Sequence, residues 1–465
     1  MFGNQAHAII FALILVLAFV LRLFHLADES IWLDEGISIA MSKLSLSEMI
    51  DKSAVDSLPP LYYSLLHYWM LLFGDSEFSV RFLSLIFSLS TIVAAYQVTK
   101  LLIDETVALV VAFLLAISVF HIEYAQEARM YSLIALLSTL SWYFFLQWRE
   151  ESKIRWIVLL FVINVLLLYT HVLAAFFLLT QNMYWWFSKE KGSIATKSWL
   201  LMQFFLLCSF APWMTVLFGQ ASTWHSTVWM PLPSVKEILG TVSTYSGSVA
   251  LALLFCALIL KGLISFKEEK RRVVFLLIWL ALPTFLLLLF CFVFKSIYLQ
   301  KYTIASSVPF FILVAYGLKS VVEKKHKIAV LLSVSVLCAI KLAVYYVEDR
   351  KEQWREAVAL IEKKATQEDV ILFDAAYCRH NAFNYYAKRA DLNKLPLLDV
   401  HEEWNEHNVS NLDSLSMGSK STWLVLSHSR DKHGLLKKEI GEYKVLFHQN
   451  YIGIELFQLE RKVGQ

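Results

Sequence analysis

Long apolar runs with almost no charge recur through the first three quarters of the chain, beginning with Ala8 to Leu26, and each approaches the length a helix needs to cross a bilayer. About eleven candidate spans can be read: 8–26, 80–99, 105–120, 130–148, 156–173, 172–188, 198–218, 242–264, 273–294, 302–319 and 328–346. The stretch Leu61 to Phe73 has only 13 residues, a re-entrant or interfacial length. Composition agrees: 58% of the side chains are hydrophobic and 17% charged, where a soluble domain carries about 25% charge. The net charge of +3 comes from bases scattered through short loops, so no nucleic-acid face is expected. Four of the five cysteines lie in apolar runs, and no disulfide framework or metal-type spacing can be read. The first run has no basic leader and no small-residue cleavage site after it, so it reads as a span rather than a removed signal peptide.

The loops set a topology. Clustered bases occur at Arg149–Arg155, Lys189–Lys197, Lys261–Arg272 and Lys319–Lys327, each separated from the next by two spans, which puts all four on the cytoplasmic side. With 61–73 not crossing, the N-terminus is cytoplasmic. The segments 27–79, 120–129, 219–241 and 295–301, and everything after Tyr346, then lie outside the plasma (inner) membrane. The expected organisation is a membrane domain over 1–346 with an external loop at 27–79, and a soluble domain over 347–465. In the tail, helical spacing at Trp354–Lys364 alternates with short apolar strands at Val370–Asp374, Thr422–Ser427, Tyr443–Phe447 and Ile452–Leu456, which fits a small extracytoplasmic α/β domain.

Candidate chemistry collects on the outer side. Asp34 and Glu35 follow Trp32-Leu33 and precede Gly36; paired carboxylates suit a general base with a partner that orients substrate, and equally suit the acidic first turn of a helix. A second group, His121 to Tyr131, holds Glu127, Arg129 and Tyr131. A guanidinium at a cavity mouth suits phosphate, while a snorkelling arginine with a local Glu partner is the bland account. Lys301-Tyr302 opens a late span on the side where bases are less expected, either snorkelling or meeting an anionic lipid. His171 sits between two apolar runs and reads more simply as an interfacial histidine.

Taken in order, Trp32-Leu33-Asp34-Glu35-Gly36, Pro59-Pro60-Leu61-Tyr62-Tyr63, Arg81-Phe82-Leu83-Ser84, Tyr124 to Tyr131, Tyr169-Thr170-His171 and Lys301-Tyr302 resemble the GT-C superfamily of glycosyltransferases that use polyprenyl-phosphate sugars. Within it, the chain resembles bacterial relatives of the protein O-mannosyltransferases and of the lipid A aminoarabinose transferase (family 39-like). The resemblance implies a polytopic α-helical fold of GT-C type, with about eleven transmembrane helices plus juxtamembrane helices. It implies an inverting transfer to an unknown extracytoplasmic acceptor, with membrane lipids as surroundings and no nucleic acid as partner. Asp34 matches the family's loop-one acid and would be the general base, with Glu35 positioning acceptor or donor. Arg129 and Lys301 would neutralise the departing phosphate and Arg22 would join them, with Glu127, Tyr131, His171 and Tyr302 completing the substrate site. Two positions depart from the pattern: Leu58 stands where many relatives carry histidine, and Lys301 where they carry arginine. No cofactor is implied with certainty, and a divalent cation is possible in the superfamily. The competing classes are a lipid-linked-sugar flippase or transporter, which would place charges mid-span, and a non-catalytic membrane scaffold.

Overall fold

Backbone contacts divide the chain into two compact units: Met1–Leu26, Ser45–Gly74 and Ser79–Val347 form the first, and Ala27–Leu44, Asp75–Phe78 and Glu348–Gln465 the second. The computed structural model describes residues 2–56, 58–188, 193–221, 231–265, 270–398, 404–405, 408, 410–429, 431 and 434–462. The expected division at residue 346 therefore differs in one respect. Of the loop 27–79, the segments 27–44, with Asp34 and Glu35, and 75–78 are compact with the C-terminal segment rather than with the helices that flank them in sequence.

The first unit is helical. Its elements are α1 (Phe2–Leu23), then, after α2 of the second unit (Leu33–Ser42), α3 (Leu46–Asp56), α4 (Leu61–Phe73), α5 (Glu77–Leu102), α6 (Glu105–Ile117), α7 (Val119–Ala125), α8 (Tyr131–Glu151), α9 (Ile154–Thr170), α10 (Ala174–Phe187) and α11 (Ser193–Ala221). They continue with α12 (Val235–Ser246), α13 (Val249–Ser265), α14 (Lys270–Val293), a 3₁₀ turn (Gln300–Ser306), α15 (Ser307–Lys319) and α16 (Lys324–Val347). All eleven candidate spans fall on these helices. Among the described residues, six helices are long and apolar enough to cross a membrane, or up to eight if each bent pair counts as one span. The bent pairs are α6 with α7, at 60°, and α12 with α13, at 87°. Helix α4 has 13 residues, about 20 Å at 1.5 Å per residue, short of the roughly 30 Å hydrocarbon core.

Without a hydrophobic drive between helices in lipid, small residues and satisfied polar groups must hold the bundle together. Gly317 of α15 lies against α13 so closely that a Cβ there would come within 2.0 Å of the Leu258 carbonyl oxygen. Helices α8, α9 and α10 are joined by a closed buried triangle: Ser141 Oγ donates to Asn164 Oδ1 (2.6 Å), Asn164 Nδ2 to Gln181 Oε1 (3.1 Å), and Gln181 Nε2 to Ser141 Oγ (3.1 Å).

The second unit contains a five-stranded sheet of order β2-β1-β3-β5-β4, from β1 (Val370–Phe373), β2 (Asn393–Pro396), β3 (Thr422–Leu426), β4 (Tyr443–Tyr451) and β5 (Ile454–Arg461). β1 pairs in parallel with β2 and β3, while β5 runs antiparallel to β3 and β4. β1 and β3 are buried on both faces, as their unbroken apolar runs require. Alternate residues supply two cores. Ile371, Phe373, Trp423 and Val425 pack with α17 (Trp354–Lys364), Phe383 and Leu33 of α2, whereas Val370, Leu372, Leu424 and Leu426 pack with Leu412, Leu436 and Ile440. β2 was not legible in the sequence, because Asn-Lys-Leu-Pro has no apolar alternation.

Candidate active site

In the first unit, three distant motifs meet. Arg129 and Glu127 are buried in the turn between α7 and α8, with the Arg129 amide donating to the Glu127 carbonyl at 2.8 Å. The turn is held from outside its own sequence: Ser84 Oγ of α5 donates to the Arg129 carbonyl (3.3 Å) and pairs with the Tyr62 hydroxyl of α4 (3.2 Å). Thus Tyr62 after the paired prolines and Ser84 of Arg81-Phe82-Leu83-Ser84 fix the backbone that carries Arg129. Gln126, just before it, donates to the carbonyls of Arg22 (2.9 Å) and Phe24 (2.6 Å) and accepts from the Tyr345 hydroxyl (2.9 Å).

The 3₁₀ turn brings Lys301 and Tyr302 to the same place. It is anchored by α12, whose Tyr245 hydroxyl donates to the Thr303 carbonyl (2.7 Å) and whose Thr244 hydroxyl donates to Gln300 Oε1 (2.6 Å), and by Trp279, which donates to the Ala305 carbonyl (3.1 Å). Lys301 Nζ stands over the Tyr131 ring at 5.2 Å, Tyr302 lies 6.3 Å from Tyr131 and 5.3 Å from His171 between ring centroids, and Arg129 and Lys301 both act electrostatically on His171. His171 caps the C-terminus of α9, its Nδ1 accepting the Leu173 amide at 3.1 Å. His171 and Tyr302 also line an apolar crevice with Leu167, Phe177, Pro283 and Leu287. Arg129, Tyr131, His171, Lys301 and Tyr302 therefore form one cluster: two cations among aromatic rings, beside an apolar crevice.

Arg22 takes a different place from the one expected. It is fully buried, and its guanidinium donates to Ser88 Oγ (2.8 Å) and to the carbonyls of Ala18 (3.2 Å), Ala116 (3.0 Å) and Leu115 (3.0 Å). The break between α6 and α7 leaves the last carbonyls of α6 without helical partners, and Arg22 supplies them. Its guanidinium ties α1 to α5 and α6. His121 is likewise occupied, its Nε2 lying 2.9 Å from Ser307 Oγ.

In the second unit, Asp34 and Glu35 stand in the first turn of α2, where the helix dipole favours carboxylates. The N-cap, Trp32, makes no side-chain cap bond; the Leu33 amide is instead accepted by Glu352 Oε2 at 3.0 Å. Glu35 is fully buried, with Lys351 Nζ 3.3 Å from its carboxylate. Lys351 thus gives the Glu35 carboxylate an internal partner. Asp34 is only partly buried. Gly36 is required by packing: a Cβ there would lie 3.0 Å from the backbone of Asn381 and Ala382 in the π-helical turn Arg379–Phe383.

Sequence reasoning passed over Glu352, whose carboxylate accepts both the Leu33 amide and Trp354 Nε1 (2.6 Å) and meets His428 Nε2 (2.6 Å). Glu352 beside it raises the proton affinity of His428 above the ordinary imidazole value, and the charge of Asp34 adds to this. The one hint in the sequence is that Lys351-Glu352 closely precedes Trp354-Arg355-Glu356-Ala357. Among the described residues, no three His, Cys, Asp or Glu side chains converge on a point where a metal could sit.

The chain, a bundle of apolar and broken helices with a small α/β unit, has the fold of solved GT-C glycosyltransferases. Residues 57–216 match the family model described as dolichyl-phosphate-mannose-protein mannosyltransferase. ArnT from Cupriavidus metallidurans in the apo state superposes with a TM-score of 0.64 at 14% identity, over 98% of each chain. ArnT bound to undecaprenyl phosphate gives 0.60 at 14% identity, over 96% of this chain and 97% of that one. The archaeal oligosaccharyltransferase AglB from Archaeoglobus fulgidus, in complex with an inhibitory peptide and a dolichol-phosphate, gives 0.57 at 11% identity, over 100% of this chain and 75% of that one. No curated protein matches the chain by sequence.

Proposed function

We propose that this protein is a multi-pass glycosyltransferase of the plasma membrane that moves a sugar from a polyprenyl-phosphate donor to an extracytoplasmic acceptor, whether protein, lipid or glycan. The observation that carries this reading is the cluster of Arg129, Lys301, Tyr131, His171 and Tyr302, drawn from three motifs far apart in the chain. Cations set among rings beside an apolar crevice suit a phosphate attached to an isoprenoid tail, since a guanidinium stays charged and grips oxygens in a fork. The undecaprenyl phosphate of ArnT and the dolichol-phosphate of AglB support the same ligand class here.

In the proposed reaction the acceptor oxygen or nitrogen attacks C1 of the sugar from the face opposite the phosphate. The new bond to C1 forms as the C1–O bond to phosphate breaks, which inverts the configuration. The acceptor's proton passes to Asp34 as general base. Negative charge grows on the departing phosphate oxygen, and Arg129 and Lys301 stabilise it where it develops. Glu35 holds α2 through Lys351 and so positions Asp34. With the polyprenyl-phosphate sugars extracted from the host membrane as donors, Asp34→Asn is expected to insert and fold as the wild type while transfer falls at least a thousandfold. Turnover near the wild-type rate by a well-folded Asp34→Asn protein removes Asp34 as the base.

A further inference from the structure

The second unit encloses a recess of about 430 Å³ that the proposed reaction does not use, a size ordinary for small-molecule sites. It lies at the carboxyl end of β3, between the turn that joins β4 to β5 and the helix Leu435–Ile440. The sheet order β2-β1-β3 reverses its direction of growth at β1 and β3, and in open parallel sheets the carboxyl ends beside such a reversal are where ligands bind. The two residues directly after β3 mark the place. Ser427 lines the recess and is only 4% exposed, yet among the described residues its buried Oγ has no hydrogen-bond partner. Buried side-chain hydroxyls are mostly paired, so this one calls for an explanation. His428, also in the lining, adopts φ of +54°, a left-handed conformation that costs energy and collects at ligand sites. Its surroundings fix it there: Nε2 lies 2.6 Å from Glu352 Oε1, and Gly453 of the β4–β5 turn sits so close that a Cβ on it would come within 2.6 Å of the Glu352 Cγ. With Nε2 committed, Nδ1 is the ring nitrogen left to a ligand.

The lining selects its ligand by chemistry. Charges of both signs border the recess, Lys437 against Asp431 and Glu455. Both carboxylates are occupied: Asp431 accepts the Leu435 and Leu436 amides at 2.8 and 3.0 Å, and Glu455 meets His448 Nε2 at 3.0 Å. That balance favours neither an anion nor a cation. The strands whose ends supply Leu426, Ile454 and Glu455 are β3 and β5, interior strands paired on both sides, so an extended peptide finds no strand edge there to join. What remains is neutral and mixed. The Ser427 hydroxyl and the Asn450 amide can both donate and accept, His428 offers Nδ1, and beside them the Tyr451 ring is braced against the core of the unit. A sugar ring carries the matching pattern, with hydroxyls around its edge and C–H groups on its faces. We propose that this recess is a saccharide-binding site, in which Ser427, His428 and Asn450 pair with ring hydroxyls and Tyr451 lies against a ring face.

The full chain, held in an amine-oxide detergent that carries no sugar headgroup, tests this by saturation-transfer NMR. The probes are the disaccharides mannobiose, diacetylchitobiose, maltose and lactose, with trialanine as a peptide. At least one disaccharide is expected to receive saturation from the protein. Ser427→Ala and Asn450→Ala are each expected to weaken its binding roughly fivefold, as the loss of one hydrogen bond would. Asn450 is exposed, so its truncation leaves the fold in place and keeps the result clear of misfolding. Saturation of none of the disaccharides overturns the proposal. So does a signal that survives Asn450→Ala undiminished, because the sugar is then bound elsewhere on the chain. Saturation of trialanine in place of the sugars overturns it in favour of a peptide site. None of these readouts requires sugar transfer, so the recess stands or falls separately from the glycosyltransferase reading.

Discussion

Asp34 and Glu35 are adjacent in sequence and face different surroundings. Glu35 is fully buried against Lys351, whereas Asp34 is only partly buried. Glu35→Gln should therefore act on stability: removing one partner of a buried pair strands the other, which costs about 3–5 kcal/mol. The check is a lower melting temperature for the variant in detergent, with activity restored in proportion to the folded fraction. In the other unit, Arg129→Ala and Lys301→Ala are each expected to weaken binding of undecaprenyl phosphate at least tenfold, about 1.4 kcal/mol. Unchanged affinity in both, measured by titration in detergent, removes the cluster as a phosphate site. The His428–Glu352 pair also gives a pH signature. A histidine whose proton affinity is raised on folding contributes stability fully below its unfolded value, about 6.5, and loses it as pH rises through the higher folded value. The second unit should melt lower at pH about 8.5 than at pH about 6, and His428→Asn should remove that difference.

Elements here are positioned by what meets them from far along the chain. Helix α2 has an acidic first turn and no local cap, so it depends on Glu352 for its first amide and on Gly36 for its approach to the turn Arg379–Phe383. Gly36→Val should push α2 away from that backbone and cost roughly 1–3 kcal/mol or more as overpacking. Limited proteolysis within 27–44 would reveal it as faster cleavage. The joint between α6 and α7 depends in the same way on Arg22. Arg22→Ala leaves buried carbonyls without donors, each worth about 1–3 kcal/mol, so the variant should fail in membrane assembly rather than in donor affinity. Size-exclusion profiles separate those outcomes, since a well-folded Arg22→Ala protein with weak donor binding would return Arg22 to the substrate site.

At the scale of the whole molecule, the two units interleave in sequence: the second takes 27–44 and 75–78 from between helices of the first and joins them to residues 348–465. Leu33 belongs to the same core as Trp354, Ile361, Phe373 and Trp423. A chain ending after Val347 would leave that leucine, the Leu33 amide and Glu35 without their partners. Such a truncation is expected to insert in the membrane yet expose 27–44 to protease and lose transfer entirely, although every span and Asp34 itself remain.

Apolar runs, loop charges and the ordered motifs were enough to indicate a many-helix membrane protein, the length of α4, the strands β1 and β3, and the candidate residues. Those features are local: hydropathy over twenty residues, or a turn and its neighbours, fixes them with no knowledge of what packs alongside. The use of each candidate was decided only by tertiary contacts. Arg22 turned inward because a helix break nearby exposed carbonyls, and Glu35 because Lys351 lay behind it. Glu352 entered because it reaches the Leu33 amide across 319 residues, and His428 because it meets Glu352. Periodicity and composition do not encode which distant side chains will meet, so the sequence marked the acids of α2 while the fold supplied the groups that hold that helix.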